Sequence, residues 1–76
     1  MQEQDIRQRI SSDPDICHGK PVIKGTRIPV YLIVSLVAEG ESVESIVKDY
    51  PSLTHEDVQA ALRYAAKLSE YEAYAL

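Results

Sequence analysis

The sequence predicts a small, mainly α-helical domain: three helices, the last two joined by a tight turn, behind a short N-terminal β element. Three observations predict it. Apolar residues from Ile28 onward recur at helical spacing, and the prolines and glycines fall at the ends of those segments. The first third of the chain carries only short β-branched pairs enclosed by glycines. A packing helix followed by two helices across a tight turn is the outline of a helix-turn-helix domain, and also of a tri-helical bundle with no DNA role.

In chain order, Arg9 to Ser12 reads as a short strand and Asp13-Pro14-Asp15 as a turn. Gly19-Lys20-Pro21, Val22-Ile23 and Gly25-Thr26-Arg27 then predict a tight loop or irregular hairpin. The first predicted helix covers residues 29–39, with Pro29 in its first turn and Gly40 just past its end. It is apolar almost all round, which predicts burial on most sides. The second, residues 42–50, starts at the N-cap Ser42, places Val43, Ile46, Val47 and Tyr50 on one face, and stops at Pro51. The third, residues 54–74, has the strongest start signal: Thr54 and Asp57 resemble a capping box, flanked by Leu53 and Val58 in the positions of a hydrophobic staple. Val58, Ala61, Leu62, Ala65 and Ser69 form its core-directed face. Tyr64, Leu68, Tyr71 and Ala75 form a second stripe that a three-helix domain has little left to cover, so Tyr64, Leu68 and Tyr71 are the candidate partner or dimer interface.

The chain has 76 residues, which is one domain with a thin core, and its single cysteine, Cys17, makes no intramolecular disulfide. A homodimer or a partner protein is the expected supplement. The apolar run Ile28 to Ala38 is far shorter than the roughly 20 residues of a bilayer span, and the polar N-terminus leads into no secretory h-region. No membrane association and a cytoplasmic location with Cys17 reduced are expected. The net charge of -4 is unevenly spread. Ile16 to Arg27 carries Lys20, Lys24, Arg27 and His18 with no acid, whereas the helices are rich in Asp and Glu. An acidic body disfavours non-specific nucleic-acid binding, which draws on cations displacing counterions.

The residue inventory points away from catalysis. Gly19 to Thr26 superficially resembles a phosphate-binding loop, but the lysine precedes the second glycine and Pro21 removes an N–H from the cradle. Cys17, His18 and His55 complete neither a zinc pattern nor a nucleophile pair; Cys17 is read as a small buried hydrophobe and His55 as solvent-facing. Glu44, Glu56 and Asp57 sit near helix N-termini, where complementing the helix dipole is role enough. No enzyme, metal, cofactor or small-molecule substrate is expected. If the last two helices bind DNA as a helix-turn-helix does, Thr54, His55, Gln59 and Arg63 meet the major groove, while Glu56 and Asp57 sit badly against phosphate.

The run Pro14-Asp15-Ile16-Cys17-His18-Gly19-Lys20-Pro21-Val22-Ile23-Lys24-Gly25-Thr26-Arg27-Ile28-Pro29-Val30, with Ala38 to Ser42, Tyr50 to Thr54 and Asp57 to Leu62, resembles the bacterial domain of unknown function 433 family over residues 8–68. Its motif loop is carried by Gly19, Lys20, Pro21, Gly25, Thr26 and Arg27. The resemblance implies a homeodomain-like three-helix helix-turn-helix bundle with a small N-terminal β element. It also implies a VapB-like antitoxin paired with a PIN-like ribonuclease toxin, and no catalytic residues. His18 departs from the pattern, standing where another glycine is expected. The function expected is thus the antitoxin of a type II toxin-antitoxin pair, a homodimer that binds the toxin directly and represses its own promoter. The rivals are a stand-alone helix-turn-helix regulator and a non-catalytic adaptor. Arg27 has two readings: it hydrogen-bonds the carbonyls of its own loop, which is preferred, or it reaches a phosphate or a partner carboxylate.

Overall fold

The computed structural model describes residues 3–75, with side chains over 6–70. Its order is α1 (Glu3–Arg9), β1 (Ile10–Ser11), β2 (Val22–Ile23), α2 (Val30–Ala38), α3 (Val43–Asp49) and α4 (His55–Ala75). The described residues thus hold four α-helices and a small sheet, so the expected three-helix count is corrected by α1. That helix has no proline, glycine or cap to announce it, and its Ile6 is buried only because α4 lies beside it.

β1 and β2 pair antiparallel, with Ile10 opposite Ile23 and Ser11 opposite Val22. The connecting segment folds back twice. The Lys24 N–H donates to the Arg9 carbonyl at 2.8 Å, and the Val30 N–H donates to the Pro21 carbonyl at 2.9 Å. Between them Ile23 to Thr26 is a β-turn closed by the Thr26 N–H on the Ile23 carbonyl at 3.0 Å, with Gly25 at φ +83° in the position that demands a left-handed residue. The sheet therefore delivers the chain directly into α2.

The helix boundaries follow local chemistry. α2 begins just after Pro29, which acts as its N-cap rather than as its first helical residue. It ends in a complete Schellman motif: Gly40, at φ +99°, donates to the Val37 carbonyl at 3.0 Å, and Glu41 donates to the Leu36 carbonyl at 3.0 Å. The Ser42 hydroxyl accepts from the Ser45 N–H at 3.1 Å and caps α3. The turn to α4 closes with the Leu53 N–H on the Tyr50 carbonyl at 2.9 Å.

The capping box at α4 is reciprocal. The Thr54 hydroxyl accepts from the Asp57 N–H at 3.1 Å, while the Asp57 carboxylate accepts from the Thr54 N–H at 3.0 Å. The second carboxylate oxygen takes a bond that sequence patterning did not suggest, from the Arg9 guanidinium at 3.0 Å. Asp57 is buried, and α1 is tied to the start of α4 through it.

The core is one cluster: Ile23, Val30, Ile33, Ile46, Leu53, Val58 and Ala61, drawn from the sheet, α2, α3, the turn and α4. Leu53 and Val58, the expected staple pair, both belong to it. The expectation that α2 is buried on most sides is corrected: Val30 and Ile33 are buried, Leu32, Val34, Leu36 and Val37 are half-covered, and Tyr31 is exposed. A body of this size lacks the surface to enclose a helix all round. On α4, Ala60 is buried as well as Ala61, and from Ala66 to Glu70 every side chain is exposed. Over Ala66 to Glu70 the helix has left the core.

Removing the Asp57 carboxylate strips one half of the capping box and leaves Arg9 without its partner. Asp57→Ala is expected to lower unfolding free energy in urea by about 2 kcal/mol. Arg9→Ala is expected to cost about 1 kcal/mol or less, because Arg9 is more than a third exposed. The double variant should cost less than the two losses added together.

Candidate functional site

Three surfaces carry the residues singled out from sequence. The first is the outer side of α4. Thr54, His55, Gln59 and Arg63 are all exposed, and the four-residue spacing of His55, Gln59 and Arg63 puts those three on one face of α4. Thr54 is also the N-cap, its hydroxyl oxygen engaged by Asp57. Gln59 and Arg63, with Leu62 and Ala66, line a shallow depression of about 400 Å³. Their spacing places them on successive turns of a single helix face.

The second surface is the opposite flank of α4. Tyr64 is half-buried and packs against the core, whereas Leu68 is 47% exposed. Both residues stand between two grooves. One, of about 360 Å³, runs to α1 and β1, with Ile6 and Ile10 on its far wall. The other, of about 430 Å³, runs to α2, with Lys20, Tyr31 and Val34 on its far wall. The stripe expected along Tyr64, Leu68 and Tyr71 is therefore a ridge with a trough on either side; the Tyr71 side chain lies outside the described residues. Periodicity located the ridge but neither trough, because each far wall comes from an element remote in sequence.

The third surface is the motif loop. Lys20, Lys24 and Arg27 are exposed. The Lys20 ammonium sits 4.9 Å from the centre of the Tyr31 ring, a cation–π contact at the rim of the α2–α4 groove. Cys17 is half-buried rather than enclosed, and its thiol donates to the Arg27 carbonyl at 3.4 Å.

The preferred reading of Arg27 is corrected here. The loop is braced by Thr26, whose hydroxyl donates to the Ile23 carbonyl at 2.8 Å and accepts from the Ile28 N–H at 3.0 Å. The Arg27 guanidinium makes no hydrogen bond or ion pair among the described residues and projects from the surface. A hydroxyl adjacent to the turn reaches both backbone groups, whereas a long guanidinium side chain projects past them.

The His18 departure acquires a physical meaning. Cys17 and His18 lie at φ 51° and 57°, in the left-handed region that costs a non-glycine residue about 1 kcal/mol or more. Glycine is the unstrained choice where His18 stands. Among the described residues, no group of three or more His, Cys, Asp or Glu side chains gathers in a way that would hold a metal ion. No described helix is long and apolar enough to cross a membrane.

Two measurements separate these roles. Thr26→Val is expected to lower stability by about 1–2 kcal/mol, chiefly by orphaning the Ile28 N–H, since the Ile23 carbonyl keeps the residue-26 backbone N–H, whereas Arg27→Ala should change it by less than about 0.5 kcal/mol. His18→Gly should leave the protein about as stable or up to about 1 kcal/mol more so, because relief of strain outweighs the added chain freedom of glycine. Paired urea melts report both.

Comparison with known proteins places this arrangement. Residues 10–65 match the family model described as a protein of unknown function, DUF433. An uncharacterized protein of Sinorhizobium fredii, y4eO, is 46% identical over 59 residues, which is 78% of this chain; the chain spans only about a quarter of that relative's length, 27% of it. The crystal structure of a DUF433 member protein from Anabaena variabilis superposes with a TM-score of 0.77 at 30% identity, over 93% of this chain and 80% of that one. The Gly19-to-Thr26 loop, the sheet that it closes and the first turns of α4 all fall inside the matched span, and the chain belongs to the DUF433 family.

Proposed function

We propose that this chain is the non-catalytic antitoxin of a type II toxin-antitoxin pair, VapB-like in role, which neutralises a PIN-like ribonuclease by binding it directly. The observation that carries the proposal is the Tyr64–Leu68 ridge with its two flanking grooves. It offers a half-exposed aromatic and an exposed leucine on a rigid helix, the kind of anchor around which protein interfaces concentrate their binding energy. The acidic helical body complements a basic, RNA-handling partner.

Self-repression of the promoter is the second use we assign. On this reading α2, α3 and α4 form a homeodomain-like helix-turn-helix, and His55, Gln59 and Arg63 point from α4 into a major groove with Thr54 at its start. The exposure of all four side chains favours that use. The same observation supports the rival, a stand-alone regulator without a toxin.

The test is purification of the tagged chain from its native lysate with mass spectrometry and an absorbance check for nucleic acid. A small PIN-like protein is expected in stoichiometric amount, its RNA cleavage suppressed by added chain. Leu68→Asp should weaken that binding by about thirtyfold or more. Recovery of the chain with promoter DNA and no ribonuclease, with binding that falls steeply as salt rises, would replace the antitoxin by the autonomous regulator.

A further inference from the structure

We infer that the groove between α2 and α4 receives the acidic, tyrosine-bearing end of α4 from a second copy of this chain. The inference rests on the reading of α4 as an interface and names what fills one side of it.

The groove is unusual for this molecule. Tyr31, 58% exposed, and Leu68, 47% exposed, are the large hydrophobic side chains that the described surface leaves most open, and both line it. The floor and walls are otherwise apolar or small: Pro21, Val30, Val34, Ala65. A single charged residue, Lys20, stands at the rim, held over the Tyr31 ring. It belongs to the Ile16-to-Arg27 segment, which has Lys24 and Arg27 besides and no acid. An occupant must therefore bring apolar or aromatic side chains with carboxylates beside them.

Such a segment exists in the chain itself. Glu70-Tyr71-Glu72-Ala73-Tyr74-Ala75-Leu76 alternates acids with tyrosines and small apolar residues and has no cation. α4 is one continuous helix from His55 to Ala75 and Ser69 is its last residue in the groove lining, so the backbone past Ser69 is carried away along the axis by about 1.5 Å per residue and does not fold back over its own groove. The occupant comes from a second copy. Because each chain has both groove and tail, one exchange satisfies both copies and closes as a two-fold dimer. The charges agree in both directions, with Glu70 and Glu72 of each copy facing the Lys20 loop of the other.

Sedimentation equilibrium of the full chain at low and moderate salt tests this. Wild type is expected to dimerise. Lys20→Glu, at an exposed position, and the pair Glu70→Lys with Glu72→Lys should each raise the dimer dissociation constant about tenfold or more. Combining all three should restore it to within about threefold of wild type, and circular dichroism should show every variant folded. A wild-type chain that stays monomeric, a dimer indifferent to either charge reversal, or a triple variant without recovery would each overturn tail docking. Ribonuclease capture by the same variants is scored separately. Its loss or retention bears on the antitoxin reading, and the self-association constants alone decide the tail.

Discussion

One carboxylate, that of Asp57, connects the parts of this fold that chain connectivity leaves apart. One of its oxygens completes the cap on α4 and the other holds Arg9, 48 positions earlier in the chain. A buried carboxylate is tolerable only when its lone pairs are matched, and here backbone and guanidinium match them on two sides. The consequences run outward from that point. With Arg9 held, β1 follows in register, the Lys24 N–H finds the Arg9 carbonyl, and Ile23, at the start of the β-turn, joins the core cluster with Leu53 and Val58. The far wall of one groove, with Ile6 and Ile10, is in place for the same reason.

Local rules account for most of what sequence made legible. The Schellman stop at Gly40, the Ser42 cap, the Thr54 and Asp57 box and the Leu53 and Val58 pair are each written within a few consecutive residues. What was not legible depends on partners distant in the chain. α1 has little intrinsic signal and is a helix because α4 gives Ile6 something to cover. Arg9 offers no hint of Asp57, and Lys20 none of Tyr31. The interface stripe lay between these cases, since Tyr64 and Leu68 were evident from spacing while the troughs beside them were not.

The candidate surfaces divide by charge as well as by place. The outer side of α4 sets His55, Gln59 and Arg63 beside the exposed Glu56, a mixed surface that suits selective contact more than general attraction to phosphate. The motif loop gathers cations on a backbone braced by Thr26 and bent through left-handed residues, so its charges sit at defined positions on an otherwise acidic molecule. Fixed charges of opposite sign on one small body favour ordered assembly, because only some orientations bring unlike charges together.

The tie between Arg9 and Asp57 also sets an order of events. The turn between α3 and α4 and the cap on α4 close over a few residues, so they form at little cost in loop entropy. The docking of α1 closes a far longer loop, and its anchor is an ion pair only partly shielded from water. The N-terminal helix is therefore the last piece to settle and the first to detach, a small cooperative unit of its own. Its amide protons are expected to exchange with solvent ahead of those of α3 and α4, and an opening of that kind would uncover the α4 flank where Tyr64 and Leu68 stand.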